Sequence, residues 1–508
     1  MNRRSYLSVD PAFYFAHDLS IEHVHYYHTY DSSVCIVVVF EARFWYDSSM
    51  KLSRRTTTKL DQAGLKVVKL LNKRSFQAFW VGGIVRNILL KRESDNIDIA
   101  TDATPDQIES VLNQAEIKTK PVGKEFGSIL AIVDTFKIEI TTFRSEGRYS
   151  DNRHPDKVEF IREYLDDAKR RDFTINALYF DPVKKELYDP TGGIKDLGLK
   201  LLRFVGDPKK RIDEDGLRML RGVRLATQLQ FKLEKNSFAA IKTRAKYIQY
   251  ISGERVKAEL DKILLSDNRS EGIRLLEKIS LLKFISPDLD NMKKVFSTSK
   301  IFHLEGDKLT HSLMVADALK IKDLELIYAA LFHDVGKVEI RTKPGHKWID
   351  VFLEHIEAGI KIFEKFAVLM KFSVQSRDKV IWLIGKHDHD IVFEKFSVGD
   401  KIQLISNPYI ELELDLWQAD IQGCIVSEAS KGRTDHRWRA HRSATKFLEL
   451  YKSKKFAIQK LANGNLIMKY SKLKPGKQLG QKIDEIKSQI VLGKIKNESD
   501  LKNFLEKT

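Results

Sequence analysis

Residues 79–86, FWVGGIVR, and residues 96–101, NIDIAT, decide how this chain is interpreted. In the first stretch an apolar strand runs into two glycines and a helix that carries an arginine. Glycines let backbone N–H groups approach a phosphate, and the N-terminus of a helix favours negative charge. Gly82, Gly83 and Arg86 are therefore candidate phosphate-binding residues, although a Gly-Gly pair on its own is usually only a turn.

The second stretch predicts a cation site. Residues i and i+2 of a strand point to the same face, so the side chains of Asn96 and Asp98 can share one ion. Glu139, in the alternating strand KIEITT, is a candidate carboxylate on a neighbouring strand. Mg²⁺ takes hard oxygen ligands and keeps waters or substrate phosphates in its other positions. We therefore predict a Mg²⁺ site at Asn96 and Asp98, with Glu139 as a further catalytic candidate.

The bulk composition narrows the class of protein. The chain has 508 residues and a formal net charge of +17, with 43% hydrophobic and 31% charged residues, which indicates several globular domains. Excess Lys and Arg favours a polyanionic partner such as nucleic acid, with a merely solvated basic surface as the alternative. Two cysteines, and no run near the roughly 20 apolar residues that span a bilayer, predict a cytoplasmic protein without a membrane segment.

The periodicity of the sequence predicts an α/β head on a helical body. Residues 1–49 are rich in His, Tyr and Phe, and are either an extension upstream of a true start at Met50 or an accessory β-hairpin. The head is expected over 50–195, where SILAIV (128–133) and KIEITT (137–142) predict paired strands. Helical periodicity then predicts a neck and body over 196–295, a second helical domain over 296–430 and a Lys-rich tail over 431–508.

Seven motifs carry a family resemblance. VGGIVR, DIATDATP, EITTFR, EGRYSDNRHPDKVEF, RRDFTINAL, DPTGGIKDL and EDGLRMLRGVR follow one another over roughly residues 75–265. In that order they closely resemble the class II tRNA nucleotidyltransferases, or CCA-adding enzymes, and the bacterial poly(A) polymerases. The resemblance implies an α+β fold with a polymerase-β-like head and helical neck, body and tail. It also implies template-independent addition of C, C and A to tRNA from CTP and ATP.

The resemblance assigns a role to each matching residue. Gly83 and Arg86 would hold the triphosphate, and Asp98 would bind two Mg²⁺ ions, with Asn96 at the position of the family's first aspartate. The remaining nucleotide-binding residues that it implies are Arg171, Asp172, Asn176, Asp215, Arg218, Arg221 and Arg224. Asp215 and Arg218 would pair with the base, since C and A both carry an amino group that a carboxylate accepts.

One segment bears on which nucleotides are added. Residues 146–155 match the flexible loop that the family needs for its switch to ATP, and this loop includes Arg148, Arg153 and His154. Its presence argues against an enzyme that adds C alone. A poly(A)-adding enzyme remains an alternative.

Two positions depart from the family pattern. Asn87 replaces the aspartate of the usual Val-Arg-Asp, and Asn96 replaces the first metal-binding aspartate. An Asn carbonyl can ligate Mg²⁺ but adds no charge, so the affinity for the catalytic ion should fall. Three interpretations stay open: an active enzyme that tolerates Asn96, compensation by Asp95 or Glu139, and a non-catalytic RNA-binding relic.

A second set of residues predicts another metal site. Imidazole and carboxylate ligands suit a transition metal or a mixed Mg²⁺/Mn²⁺ pair. The candidate ligands, in chain order, are His311, His333, Asp334, His355, His387 and Asp420. They resemble the HD phosphohydrolases, which implies metal-dependent phosphodiesterase or phosphatase activity, unless the domain is only part of an RNA-binding body. His303, His346 and His389 match no ligand position.

The tail and the competing functions complete the expectations. Residues 473–480, LKPGKQLG, resemble the end of bacterial members, and their lysines either grip tRNA phosphates or belong to a soluble basic helix. The competing functions are poly(A) addition, HD hydrolysis with a head that only binds substrate, and RNA binding without catalysis.

Overall fold

The computed structural model describes residues 58–147, 158–296, 304–340, 348–427 and 431–507. The side chains of Glu146 and of residues 348–353 and 431–434 are outside that description. Residues 1–49, for which an extension or a hairpin was expected, lie outside the described residues. The predicted loop residues Arg148, Arg153 and His154 lie outside them as well.

The head contains strands β1 (Ala78–Val81), β2 (Ile97–Thr101), β3 (Lys118–Pro121), β4 (Ser128–Val133), β5 (Phe136–Thr142), β6 (Arg144–Glu146), β7 (Val158–Phe160), β8 (Tyr179–Asp181) and β9 (Glu186–Tyr188). Seven of them form a mixed sheet in the order β3-β4-β5-β2-β1-β8-β9, and β6 pairs with β7 separately. Short strands β10 (Leu201–Leu202) and β11 (Lys232–Leu233) form a parallel pair.

The register of the central strands positions the candidate cation site. β4 and β5 pair antiparallel, which confirms the pairing predicted from their alternating apolar residues. β2 runs parallel to β5 and brings Asp98 opposite Glu139, while β1 runs antiparallel to β2 and brings Val81 opposite Asp98. The turn after Val81 therefore begins beside the two carboxylates.

Helices α1 to α5 cover or connect these strands. They are α1 (Lys59–Asn72), α2 (Gly83–Leu89), α3 (Pro105–Asn113), α4 (Tyr164–Lys169) and α5 (Gly193–Gly198). α1 begins at a reciprocal cap between Thr58 and Asp61 and buries Val67, Val68 and Leu71 completely. α1 leads into the short strand β1.

The neck and body are helical and carry the arginine-rich motif. Their helices are α6 (Pro208–Glu214), α7 (Leu217–Leu229), α8 (Lys235–Arg244), α9 (Gly253–Leu264), α10 (Arg269–Lys278), α11 (Leu282–Ile285) and α12 (Pro287–Asn291). α7 buries Met219, Leu220 and Val223, and packs against α9. Its arginines at positions 218, 221 and 224 occupy other positions of the helix surface.

A second helical group follows. Its helices are α13 (Lys308–Ala318), α14 (Leu324–Phe332), α15 (Lys337–Ile340), α16 (Trp348–Leu369), α17 (Val374–Lys386), α18 (His389–Val392), α19 (Val398–Ile405) and α20 (Ile410–Gly423). α14 is its central helix, because every residue from Leu326 to Phe332 is buried.

The tail consists of α21 (Lys431–Leu461), α22 (Gly464–Tyr470), α23 (Lys477–Val491) and α24 (Glu498–Lys507). Ile467, Ile486 and Leu501 of the tail lie in one apolar cluster, to which Ile402 of α19 also contributes. Among the described helices, none is long and apolar enough to cross a membrane. A mixed-sheet head followed by helices confirms the predicted α+β fold class.

Candidate active site and metal centre

Two carboxylates on adjacent parallel strands form the centre of the head site. Asp98 in β2 is the register partner of Glu139 in β5. Burial, and then the charge of Glu139, raise the pKa of Asp98 to about 6, although Arg171 and Arg221 oppose that rise. A half-buried carboxylate beside a second, exposed one is stabilised by a cation that both can bind. The arrangement is therefore suited to a divalent ion.

Asn96 lies at the edge of this pair. β2 begins at Ile97, one residue later than the predicted strand, yet the Asn96 amide still donates a hydrogen bond to Asp98 Oδ1 at 3.3 Å. Asn96 and Asp95 are both exposed, whereas the carboxylate that acts on Asp98 is Glu139. Of the two carboxylates considered as compensation for Asn96, Glu139 is therefore the better placed.

Gly82 brings the β1–α2 turn close to the carboxylates. Its φ of +73° lies in the left-handed region, where any other residue would be strained. A Cβ at this position would lie 3.6 Å from Asp98 Oδ2 and would narrow the space above the carboxylate. Gly83 begins α2, and Arg86 extends from its first turn, so the predicted phosphate-binding stretch adjoins the cation site.

Hydrogen bonds join four of the predicted nucleotide-binding residues across the head and neck. Arg86 Nη1 donates to Asn176 Oδ1 at 2.6 Å, and Asn176 Nδ2 donates to Asp172 Oδ1 at 3.3 Å. Arg221 Nη2 in α7 donates to Asp172 Oδ2 at 2.5 Å. Asn87, the first departure from the family pattern, accepts from Arg86 Nη2 at 2.9 Å. The chain of contacts fixes α7 against the head.

These arginines concentrate positive charge beside Asp98. Burial, and then the charge of Arg224, lower the pKa of Arg86 to about 10, with Arg92 and Arg221 acting in the same direction. Arg224 itself pairs with Glu259, whose Oε2 lies 2.5 Å from its Nε. Arginines that repel one another are stabilised by a bound polyanion. A triphosphate placed between Arg86 and Asp98 would meet this condition.

The two residues predicted to select the base have separate partners. Asp215 Oδ2 accepts from Arg255 Nη2 at 2.9 Å. Arg218 pairs with Glu214 at 2.6 Å and donates to the carbonyl of Arg170 at 3.2 Å. Asp215 and Arg218 are thus close along the chain, but their side chains do not pair with each other in this structure.

Arg171 is held by a carboxylate that the sequence analysis missed. Its Nη2 lies 2.9 Å from Asp167 Oδ2, and its Nε donates to the Tyr179 hydroxyl at 2.8 Å. Arg170 also pairs with Asp167, at 2.7 Å. Burial alone would raise the pKa of Asp167, but the two arginines outweigh it and hold the pKa well below its usual range. The i, i+3 and i, i+4 spacing of these residues was the available signal.

The predicted HD ligands converge in two groups at the centre of the second helical domain. The first group is His311 on α13, His333 after α14 and Asp420 on α20. Asp420 Oδ1 lies 2.9 Å from His311 Nε2 and 3.8 Å from His333 Nε2. All three side chains are buried.

The second group is Asp334, His355 and His387. Asp334 Oδ1 lies 3.8 Å from His355 Nε2 and 3.9 Å from His387 Nε2. The other oxygen of Asp334, Oδ2, faces His333 Nε2 of the first group at 3.7 Å. Asp334 therefore connects the two groups, as a bridging carboxylate does between two metal ions.

Hydrogen bonding prepares two of the imidazoles for a metal. The Nδ1 atoms of His333 and His387 each lie 2.8 Å from a backbone carbonyl oxygen, of Ala330 and Ile384 respectively. Nδ1 therefore carries the proton and Nε2 offers a lone pair to a metal. His333 Nε2 is buried without a hydrogen-bond partner among the described residues. The residues present fit a pair of divalent ions.

A close helix contact brings Asp334 to His355. Gly336 follows the His-Asp pair, and a Cβ there would lie 1.9 Å from the carbonyl oxygen of His355 and 2.6 Å from the amide nitrogen of Gly359. No side chain fits in that gap. The glycine lets the turn after α14 rest directly on α16, which places the second group within reach of Asp334.

Further charged residues at this centre were not predicted. Lys337 Nζ lies 2.5 Å from Asp334 Oδ1, and Lys308 Nζ lies 3.3 Å from its Oδ2. Arg437 on α21 donates to Asp420 Oδ2 at 2.6 Å. Asp388 Oδ2 lies 3.4 Å from the Nε2 atoms of both His355 and His387. Lys337 is three residues after Asp334, a spacing that places both on one side of a turn.

Of the three histidines that matched no ligand position, only one is described. His389 lies outside both ligand groups and packs edge-on against Phe396, with ring centroids 5.5 Å apart. His303 and His346 lie outside the described residues.

Comparisons with known proteins match both the head and the second helical domain. Family models described as "Poly A polymerase head domain", "Probable RNA and SrmB- binding site of polymerase A" and "HD domain" match residues 78–203, 230–293 and 309–429. Residues 78–203 are therefore similar to the head domain of poly(A) polymerases, and the three matched segments follow one another along the chain. The curated relatives that it matches are CCA-adding enzymes, and the segment similar to an HD domain follows the head segment.

The sequence identity to individual relatives, and the share of each chain that is covered, show how far this similarity extends. A CCA-adding enzyme of Staphylococcus epidermidis is 36% identical over 51% of this chain and 62% of its own length. One from Lactococcus lactis subsp. cremoris is 29% identical over 87% of this chain and 96% of its own length. The chain therefore spans less than two thirds of the Staphylococcus relative, which it matches at the higher identity.

Solved structures share the fold over most of the chain. The Bacillus stearothermophilus CCA-adding enzyme in complex with CTP superposes with a TM-score of 0.62 at 23% identity, covering 89% of this chain and 98% of that one. The Thermotoga maritima CCA-adding enzyme complexed with tRNA gives a TM-score of 0.57 at 15% identity, covering 90% and 97%. At these identities the likeness concerns the fold.

Proposed function

We propose that this chain adds C, C and A to the 3′ ends of tRNA from CTP and ATP. The observation that carries the proposal is the Asp98–Glu139 pair, which lies beside the arginines of α2 and α7. The family relationship supports it, since the sequence relatives are CCA-adding enzymes and one related structure holds CTP. A two-carboxylate site next to concentrated positive charge suits a metal-bound triphosphate.

In nucleotidyl transfer, each residue of the head site has a proposed role. Divalent cations, Mg²⁺ in this proposal, supply charge that lowers the pKa of the attacking 3′-hydroxyl and stabilises the leaving pyrophosphate. Asp98 and Glu139 would hold the cations. The amide nitrogen of Asn96 donates to Asp98 here, and a turn of that amide would present its carbonyl oxygen to a cation instead. Arg86 and the Gly82 turn receive the triphosphate and orient its α-phosphate towards the RNA.

Base selection falls to Asp215 and Arg218. In this proposal Asp215 accepts from the exocyclic amino group of C or A, and Arg218 donates to a ring acceptor. Their pairs with Arg255 and Glu214 hold the side chains in defined positions. The arginines at positions 171, 221 and 224 and the polar pair Asp172 and Asn176 form the surrounding wall.

tRNA would lie along the neck, body and tail. The proposed domains are the head over 50–195, the neck and body over 196–295, the HD domain over 296–430 and the tail over 431–508. Lys472, Lys474 and Lys477 are exposed between α22 and the start of α23, where they can bind the phosphates of tRNA. A Thermotoga maritima relative was solved with tRNA.

Single-nucleotide incorporation tests the proposal. Purified protein is incubated with tRNA lacking its CCA end, Mg²⁺ and one labelled nucleotide at a time. We expect CTP to extend this tRNA, and ATP to extend tRNA already ending in CC, whereas GTP and UTP are not used. Long A runs would indicate poly(A) addition instead. Failure to incorporate any nucleotide would favour RNA binding without catalysis.

Replacing Asn96 by aspartate is expected to lower the Mg²⁺ requirement. A second charged ligand strengthens cation binding, so the Mg²⁺ concentration that gives half-maximal C addition should fall several-fold. The Mg²⁺ dependence of initial rates measures the effect. Asp95→Asn, one residue away and exposed, should leave that concentration unchanged. A higher Mg²⁺ requirement in Asn96→Asp than in wild type would contradict the placement of Asn96 at the cation.

We also propose a second activity for the HD domain, metal-dependent hydrolysis of phosphate esters. The observation that favours it is the convergence of six buried ligands in two groups joined by Asp334. Two ions held in this way polarise a phosphoryl oxygen and supply a nucleophilic water. Because the head is proposed to act on the 3′ ends of tRNA, we propose phosphate esters at RNA 3′ ends, including 2′,3′-cyclic phosphates, as the substrates.

Removing one ligand should separate the two activities. His333→Ala is expected to reduce hydrolysis of 2′,3′-cyclic AMP in the presence of Mn²⁺ or Ni²⁺ by at least about a hundredfold, because its unpaired Nε2 would be lost. C addition by the head should be unchanged. His389→Ala, which removes a histidine outside both ligand groups, should retain the hydrolysis. Equal hydrolysis by His333→Ala and wild type would refute the assignment.

A further inference from the structure

An open cleft lies between α18 and the long helix α21 of the tail. Its volume is about 700 Å³. One face of α21 forms one wall, and α18 with the turn that follows it forms the other. The described residues that line the cleft include no ligand of either metal group and no residue of the head site. Its basic lining side chains are Lys395, His436, Arg439, Arg442 and Lys446.

Four of these basic side chains have no carboxylate partner. All four are exposed, and none of them forms a side-chain ion pair or hydrogen bond within the described part of the chain: Lys395, Arg439, Arg442 and Lys446. Two carboxylates also line the cleft, but Asp390 already pairs with Arg437, which leaves Glu394 to oppose the four positive charges. Unpaired cations that share one cleft repel one another, and a bound polyanion relieves that repulsion.

The spacing of three of the cations favours a strand of phosphates over a single phosphate. Arg439, Arg442 and Lys446 follow one another at intervals of three and four residues, so they lie on one face of α21. Seven residues of an α-helix extend about 10 Å, at a rise of about 1.5 Å per residue. A lone phosphate cannot reach all of these cations. A single strand of nucleic acid carries a negative charge on every nucleotide and supplies an anion to each cation in turn.

The floor of the cleft adjoins the HD centre. Asp390 lines the cleft, and its side chain is only 1% exposed. Arg437 donates through Nε to Asp390 and through Nη2 to Oδ2 of the predicted metal ligand Asp420, at 2.6 Å. One arginine side chain therefore connects the floor of the cleft to the HD centre. A strand bound in the cleft would lie next to that centre.

We infer that the cleft between α18 and α21 binds the phosphate backbone of a single-stranded RNA end and holds it next to the HD centre. The inference rests on the proposed function of the HD domain, hydrolysis of phosphate esters at RNA 3′ ends. The HD centre acts on the terminal phosphate, and the cleft binds the phosphates that precede it. The cleft thereby distinguishes an RNA end from a mononucleotide. The cations that contact the backbone are Lys395, Arg439, Arg442 and Lys446.

RNA binding in the presence of a chelator tests the cleft without any metal-dependent activity. The probe is a short, fluorescent single-stranded RNA that ends in a 2′,3′-cyclic phosphate, and its anisotropy is followed as full-length protein is added at several salt concentrations. The double variant Arg439→Ala/Arg442→Ala should bind the probe at least about tenfold more weakly at low salt. Because two phosphate contacts are lost, the slope of log affinity against log salt concentration should become shallower by about 1.4.

A charge-matched variant provides the control. Lys455→Ala/Lys460→Ala removes two exposed cations of the same helix that do not line the cleft, and it should retain the wild-type affinity and slope. An equal loss of affinity in both double variants would show that only net charge matters, and would overturn the inference. Wild-type affinity in Arg439→Ala/Arg442→Ala would overturn it as well.

Hydrolysis separates failure of the cleft from failure of the proposed HD activity. In Arg439→Ala/Arg442→Ala, the KM for the same RNA should rise at least about tenfold, whereas the KM for 2′,3′-cyclic AMP, which has no preceding phosphates, should stay the same. The KM for tRNA in C addition should also be unchanged, and a matching rise there would assign the cleft to the head's substrate and contradict the inference. If wild type hydrolysed neither cyclic phosphate, the proposed HD activity would fall, and binding in chelator would still decide whether the cleft holds RNA.

Discussion

Replacing Asp98 by alanine should reduce C addition by about a thousandfold, equivalent to about 4 kcal/mol of transition-state stabilisation. Asp98 in β2 lies opposite Glu139 in β5. The neighbouring Asn96 carries no charge, so it cannot replace Asp98 as an anionic ligand of the cation. Loss of Asp98 leaves Glu139 alone to hold the ion. Single-turnover incorporation of labelled CTP at saturating tRNA measures the effect.

A conservative control tests whether the loss is chemical. Asp98→Asn retains the shape of the side chain and should be nearly as inactive, because charge rather than volume binds the ion. CTP binding without Mg²⁺ should be retained by both variants, since Arg86 and the arginines of α7 are unchanged. Wild-type incorporation by Asp98→Ala would show that the reaction takes place elsewhere in the chain.

The second large effect is expected on stability. Asp167→Ala should reduce the free energy of unfolding of the head by about 3–5 kcal/mol, because Arg170, Arg171 and the Tyr179 hydroxyl all converge on this fully buried carboxylate. Its removal leaves two largely buried cations without their partner. Differential scanning calorimetry should show the earliest transition lowered by about 6 °C or more.

A neighbouring residue provides the matched control for this effect. Asp166, one residue earlier on α4, pairs with Lys169 at the surface, and both side chains are more than half exposed. Asp166→Ala should change the free energy of unfolding by less than about 0.5 kcal/mol. The pKa of Asp167 is held below its usual range, so its stabilising effect is present at neutral pH and is lost as the pH falls below about 4. Equal melting temperatures for the two variants would contradict the buried pair.

Local pattern predicted much of the head. Alternating apolar residues predicted the β4–β5 pair, and its register is as expected, because a slip by one residue would turn Ile138 and Ile140 out of the core. The paired glycines predicted the turn into α2, where Gly82 adopts the required positive φ. These features depend on residues near one another in the sequence, and so the sequence carries them directly.

Ion pairs between residues far apart in the sequence could not be predicted from local pattern. Asp215 pairs with Arg255, forty residues away, and Arg224 pairs with Glu259, thirty-five residues away. Helical periodicity indicates which side of a helix an arginine occupies, but the neighbouring helix determines which carboxylate it meets. Asp388 was not predicted as part of the metal centre for a different reason. It follows the predicted ligand His387 directly, and only the structure shows that its carboxylate lies near the Nε2 atom of His387.

Sequencing of the 3′ ends of tRNA after reaction is the most direct test of the central proposal. Protein is incubated with tRNA lacking its CCA end, Mg²⁺ and all four nucleoside triphosphates, and each product end is read individually. We expect the sequence C, C, A on nearly every extended molecule, with extension ending after the A. Ends that are unextended, or that carry runs of A without the preceding two C residues, would contradict it.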